Sequence, residues 1–158
     1  MTFQTGHIDG VVVRDLVRYT DTRGWLTELY RSDEADARSF PAMAYISGTE
    51  PGVARGPHEH RDQSDYFCFI GPSMFRIYLW DNRRASPTYG KKMVLEAGQE
   101  RALMIIVPSG VVHAYKNIGP VTGWSINLPN RLYGGDGRKE PVDEIRHEND
   151  ANTEFKLD

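Results

Sequence analysis

The sequence predicts an all-β domain, a small antiparallel β-barrel with few short helices, on three observations. Short β-rich runs follow one another along the chain, Gly, Pro, Asn and Asp punctuate them, and helix signals are scarce. At 158 residues the chain fits a single domain, 1–158, and is long enough to bury a core.

Strands are expected at Val11–Leu16, Gly24–Tyr30, Met43–Ser47, Gly52–His60 and Tyr66–Ile70, then at Met74–Trp80, Lys92–Leu95, Arg101–Val107, Val111–Lys116 and Trp124–Leu128. β-branched and aromatic residues recur in them, as a pleated and half-buried surface requires. Trp25, Tyr45, Tyr66, Phe69, Tyr78, Trp80, Tyr115 and Trp124 fall in these runs and read as core. Ser32–Ser39 reads as a helical turn or two, with Ser32 as N-cap and acidic residues in its first turn. From Gly134 the chain becomes polar and poor in strands, and His147 within it reads as solvent-exposed. Composition allows this tail either to wrap the barrel or to fray.

Bulk properties exclude several classes. With 39% hydrophobic and 26% charged residues, the chain has the balance of a soluble globular protein. A net charge of −3 offers no electrostatic basis for binding nucleic acid. No segment has the roughly 20 consecutive apolar residues of a membrane helix. The opening MTFQTGHIDG lacks the basic and apolar regions of a secretory signal, so a cytoplasmic location is expected. The lone Cys68, between Phe67 and Phe69, reads as a buried small hydrophobe and leaves no internal disulfide.

The chemistry-bearing residues gather in two stretches. His58 and His60 are two apart in an expected strand, so both project from one face. Asp65 follows, opening the run to Gly71. Far downstream, Pro108 and Gly110 set a tight turn that returns His113, with Asn117 beyond it. H-x-H followed by an acid and a Gly, and then P-x-G-x-x-H-x-x-x-N, resembles the paired half-motifs of the cupin superfamily, with Asp65 in place of the usual Glu. That resemblance implies a jelly-roll-like barrel. In its metal-binding members it implies His58, His60, Asp65 and His113 around a divalent Fe, Mn, Ni or Zn ion, all compatible with imidazole and carboxylate. The same histidines also suit a metal-free polar pocket.

Other segments resemble one branch. Asp21-Thr-Arg23-Gly24-Trp25-Leu-Thr-Glu28, Gly52-Val-Ala-Arg55-Gly56-Pro57-His58, Ser86-Pro-Thr-Tyr-Gly-Lys91 and Pro108–His113 are similar, in order and spacing, to segments of the dTDP-4-dehydrorhamnose 3,5-epimerase family. The resemblance implies an isomerase acting on a nucleotide-linked 4-keto-6-deoxyhexose, without cofactor, as a homodimer. Such chemistry needs a base of pKa near neutrality, an electrophile for the enolate, and donors for the diphosphate. Carried over, His58 is the base, and Asp150, reached by a one-residue insertion, is the acid behind it. Arg23 and Glu28 contact the nucleotide, and Arg55 lies by the sugar, with His113 at the turn.

Three positions depart from the family. Its catalytic Tyr falls on Ile126, an enolate-stabilising Lys falls on Asp65, and a base-recognising Gln falls on Met43. Tyr115 and Tyr133 are the spare phenols considered for the acid. Two like charges about 4 Å apart interact by about 4 kcal/mol at an effective dielectric near 20. An unshielded Asp65 would therefore slow enolate formation on the order of a thousandfold. Three readings follow: an isomerase with His58 as base, a metal-dependent cupin acting on a small organic substrate, or a sugar-nucleotide-binding protein without turnover. His58 cannot serve the first two at once, because a metal-bound ring nitrogen takes no proton from substrate.

Overall fold

The computed structural model describes residues 2–158. Its strands are β1 (Gln4–Thr5), β2 (Val12–Asp15), β3 (Tyr19–Asp21), β4 (Gly24–Leu26), β5 (Tyr45–Thr49), β6 (Ala54–Glu59) and β7 (Asp65–Gly71). There follow β8 (Met74–Asp81), β9 (Lys91–Gly98), β10 (Leu103–Val107), β11 (Val111–Asn117), β12 (Gly123–Asn127) and β13 (Ile145–Arg146). Six strands form one sheet in the order β1-β9-β8-β11-β6-β13, five form a second in the order β2-β10-β7-β12-β5, and β3-β4 is a separate hairpin. Pairing is antiparallel except between β1 and β9.

The period-2 alternation of the strands builds the core between the two sheets. Phe67 and Phe69 of β7 meet Phe75, Ile77 and Leu79 of β8, with Leu103, Ile105 and Val107 of β10 completing the cluster. The intervening residues are also covered. Tyr66 and Cys68 lie beneath Leu29 and Tyr30, and Tyr78 and Trp80 lie beneath Phe155. Coverage of Cys68 pushes its thiol up to about 12, consistent with an inert hydrophobe.

Four expectations are corrected. The strand expected over Gly24–Tyr30 ends at Leu26, because the chain beyond leaves the hairpin to cover β7, where the Tyr66 hydroxyl donates to the Leu29 carbonyl at 2.8 Å. The helix expected over Ser32–Ser39 is a single 3-10 turn, Ala37–Ser39, capped by Asp36 and not Ser32. That run has no apolar face to bury, and Arg31 is held instead by Asp33. Trp25, Tyr45 and Trp124 are 53%, 43% and 48% exposed, so none of the three is core. His147, expected in a polar segment, lies half-buried between Glu59, 2.9 Å away, and the Phe155 ring.

The polar tail wraps the barrel. Asp143 accepts from the backbone N–H groups of Arg61, Asp62 and Gln63, β13 pairs with β6 beside His58, and Phe155 packs on Trp80. Among the described residues no helix is long and apolar enough to cross a membrane.

Candidate active site

The turn at Pro108–Gly110 feeds β11 antiparallel to β6, in a register that sets His113 directly opposite His58. A β-bulge follows between His113 and Tyr115. Gly56 makes this approach possible: its φ is +80°, and a Cβ there would lie 2.5 Å from the His113 carbonyl oxygen. His58 and His60 share the inner face, and Glu59 between them points out to Asn82 and His147. The rings of His58 and His113 are 4.4 Å apart, and each is 5.7 Å from that of His60.

Asp65 reaches this cluster from the opposite sheet. It is 1% exposed, and each oxygen is engaged. Oδ1 accepts from Gln63 Nε2 and Asn127 Nδ2, both at 2.8 Å, while Oδ2 faces His60 Nε2 at 3.3 Å and His113 Nε2 at 3.2 Å. The expectation of an unshielded carboxylate is therefore corrected. Despite its burial, the two histidines hold Asp65 well below the usual carboxylate range.

His60 is the compensating charge. Its Nδ1 donates to the Asp143 carbonyl, so a proton on Nε2, facing Asp65, makes the ring an imidazolium. Burial opposes that charge, but the Asp65 contact and the Asp143 carbonyl together raise the His60 pKa. The His113 Nδ1 likewise lies 3.1 Å from the Val111 carbonyl, which leaves Nε2 turned inward. His58 behaves oppositely. Burial, and then the neighbouring charges of His113 and His60, depress it to about 2 and keep it neutral.

The carboxylate beside His58 is Glu144, whose Oε1 lies 3.8 Å from His58 Nε2 and whose other oxygen is held by Arg146 Nε at 2.7 Å. Asp150, expected in that role, is exposed and accepts from the Asn152 N–H in its own turn. Arg55 lies on the β5 side, donating to Thr49 Oγ1 and the Gly48 carbonyl. Arg23 and Glu28 are not brought to the histidines within one chain. Arg23 is exposed and paired with Asp21, and Glu28 lines a surface pocket where Arg31 binds it. The Ser86–Lys91 segment is structural, since Ser86 and Thr88 both donate to Asp81, which also holds Arg83. Glu144 and Asp143 escaped the sequence reading because no motif marks them in a polar tail.

Of the spare phenols, Tyr115 is packed among Phe67, Phe69 and Phe75 and bonded to Ser125, and Tyr133 is 58% exposed.

The chain is similar to known proteins over most of its length. The chain is 37% identical over 154 residues to the "Probable low-salt glycan biosynthesis epimerase Agl13" of Haloferax volcanii, covering 94% of this chain and 97% of that protein. It is 32% identical over 152 residues to the spore coat polysaccharide biosynthesis protein SpsL of Bacillus subtilis, covering 94% and 99%. The fold matches a dTDP sugar isomerase from Desulfovibrio desulfuricans G20 with a TM-score of 0.77 at 18% identity, over 91% of this chain and 87% of that one. Residues 5–128 match the family of dTDP-4-dehydrorhamnose 3,5-epimerase, and the chain belongs to that family.

Proposed function

We propose that the protein is an isomerase that epimerises a nucleotide-linked 4-keto-6-deoxy sugar by removing a proton next to the ketone. The observation that carries this reading is His58: a neutral imidazole in a buried wall, with the Glu144 carboxylate 3.8 Å from its Nε2. Burial weakens His58 as a base, and the carboxylate beside it offsets this by stabilising the imidazolium that forms. Asp65, 3.3 Å from His60 Nε2 and 3.2 Å from His113 Nε2, holds both rings beside His58. Arg55 supplies a cation at the rim for the sugar or its diphosphate. No cofactor is needed for this proton transfer.

A homodimer completes the reading. The β3-β4 hairpin exposes Tyr19, Trp25 and Leu26 at 57%, 53% and 60%, and a two-stranded hairpin is marginal alone. Seated on a second copy, it would carry Arg23 and Glu28 to the other subunit's nucleotide. A nucleotide-sugar substrate and a single buried cysteine favour the cytoplasm. The test is deuterium uptake from solvent into dTDP-, GDP- and CDP-linked 4-keto-6-deoxyhexoses. Uptake that disappears in His58→Asn is the expected result, and no uptake from any of the three overturns the reading.

A second reading rests on the orientation of His60 and His113. Both rings have Nδ1 against a backbone carbonyl and Nε2 turned to the same carboxylate oxygen, the arrangement of metal-ligating histidines. Ring nitrogens of His58, His60 and His113 lie within 4.8 Å of one another. The donor set of three imidazoles and Asp65 fits a divalent Fe, Mn, Ni or Zn ion, which would supply a Lewis acid for a small organic substrate. Elemental analysis of protein purified without added metal separates the two. Near-stoichiometric metal, lost in His60→Ala, would displace His58 from its role as base.

A further inference from the structure

We infer that Tyr45 is the general acid of the epimerisation, taking the place of the phenol expected at position 126. The inference rests on the epimerase reading and adds the residue that returns the proton.

The alternation of β12 explains why position 126 is silent. Ile126 packs on the outer face with Tyr66, Cys68 and Leu128, whereas Ser125 and Asn127 point inward and are 1% exposed. Directly opposite Asn127 in the β5-β12 register is Tyr45. Asn127 Nδ2 donates to the Tyr45 hydroxyl at 3.0 Å and to Asp65 Oδ1 at 2.8 Å. The Tyr45 oxygen is therefore an acceptor on its inner side, and among the described residues none accepts its own proton. That proton is free for a ligand.

Position also favours this assignment. His58 hangs from the six-stranded sheet and Tyr45 from the five-stranded sheet facing it. Inversion at carbon needs a base on one face and an acid on the other. Ser47 shares the face of β5 that carries Tyr45 and is half-buried, but its alkyl hydroxyl is a far weaker acid than a phenol and it lies opposite Ser125, not Asn127. Tyr45 is 43% exposed, while Ser125 is buried and bonded to Tyr115. Burial of the hydroxyl, against the lowering effect of the Asn127 bond, pushes Tyr45 up to about 12, which keeps the phenol protonated.

The step balances within the chain and solvent. His58 takes the proton of the carbon next to the ketone, and the C–H electron pair becomes the enolate double bond as the carbonyl pair moves to oxygen. When the enolate collapses, Tyr45 O–H delivers a proton to the same carbon from the other face. Solvent then reprotonates the phenolate and relieves the His58 imidazolium.

The experiment follows Tyr45→Phe in D2O with 4-keto-6-deoxyhexoses linked to dTDP, GDP and CDP. The expected result is deuterium uptake next to the ketone, as in the unmodified protein, with inverted product reduced at least about 100-fold. Inversion within about threefold of the unmodified protein overturns the Tyr45 assignment and leaves His58 as base. Unmodified protein that takes up deuterium without inverting also overturns it. Absence of uptake in the unmodified protein overturns the epimerase reading, and the assignment with it. A fluorinated tyrosine at position 45 preserves shape and acidifies the phenol. It should move the alkaline limb of the inversion rate to lower pH, and an unmoved limb overturns the assignment.

Discussion

His113 Nε2 lies 3.2 Å from Asp65 Oδ2, and the contact joins the two sheets of the barrel, β11 on one side and β7 on the other. The carboxylate stands where a cation was expected, yet it does not leave the cavity negative. Its second neighbour, His60, lies 3.3 Å from the same oxygen and has its pKa raised by it, so the carboxylate is balanced within the protein. One buried acid thereby serves two ends: it clamps the sheets together and it fixes the two imidazole rings.

Asp65→Asn should be costly to stability for this reason. The variant keeps the shape but leaves His60 without its counter-charge, and breaking a buried charged pair typically costs about 3–5 kcal/mol. Urea unfolding of the variant against the parent measures it. A loss below about 1 kcal/mol would mean that the pair contributes nothing net, as exposed pairs often do.

Stability should peak near the ordinary histidine pKa, with the two limbs assigned to different residues. His60 is raised in the folded state, so its contribution is fully present below about pH 6.5 and is lost as pH rises through the folded value. His58 is depressed to about 2, so below about 6.5 the unfolded chain binds a proton that the folded chain refuses. Stability then falls by roughly 1.4 kcal/mol per pH unit on the acid side. Denaturant midpoints across pH 4–9 should show a flattened alkaline limb in His60→Gln and a flattened acid limb in His58→Asn.

Much of this was legible in the residues, for identifiable reasons. The near-continuous apolar runs in Asp65–Gly71 and Met74–Asp81 report strands covered on both faces, and the two-residue spacing of His58 and His60 reports one shared face, so these could be read directly. Tyr45 could not. An aromatic residue in a strand reads as core, and only the pairing of β5 with β12 shows it beside Asn127. Glu144 was hidden in the same way, because its place depends on Asp143 docking into the loop after His60, a contact more than 80 residues apart in sequence. Long-range docking of polar segments leaves no periodicity to detect.

Glu144→Gln should lower turnover about 10–100-fold with little change in KM, while Asp150→Asn should stay within about threefold of the parent. The amide preserves the contact with His58 but removes the charge that stabilises its imidazolium. Asp150 holds only its own turn. Steady-state rates of the two variants distinguish them, and the reverse pattern would return the acid's role to Asp150.

Phe155→Ala tests whether the tail is part of the catalytic unit or merely a cover. Phe155 is 4% exposed, with its ring 5.7 Å from Trp80, 5.5 Å from Phe3 and 4.6 Å from His147. Truncating a buried phenylalanine costs about 3–5 kcal/mol where the cavity cannot collapse. At about 2–4 °C per kcal/mol for a domain of this size, Tm should fall by roughly 6–20 °C. The tail is pinned at two further points upstream, by Asp143 on the loop after His60 and by β13 on β6. Glu144 lies between those pins, so it should keep its place when Phe155 is lost. The expected outcome is therefore a less stable protein, cleaved faster by protease beyond Asp150, whose turnover below its new Tm remains near that of the parent. A large loss of turnover at a temperature where the variant is fully folded would show instead that the Phe155 contact helps to hold Glu144 against His58.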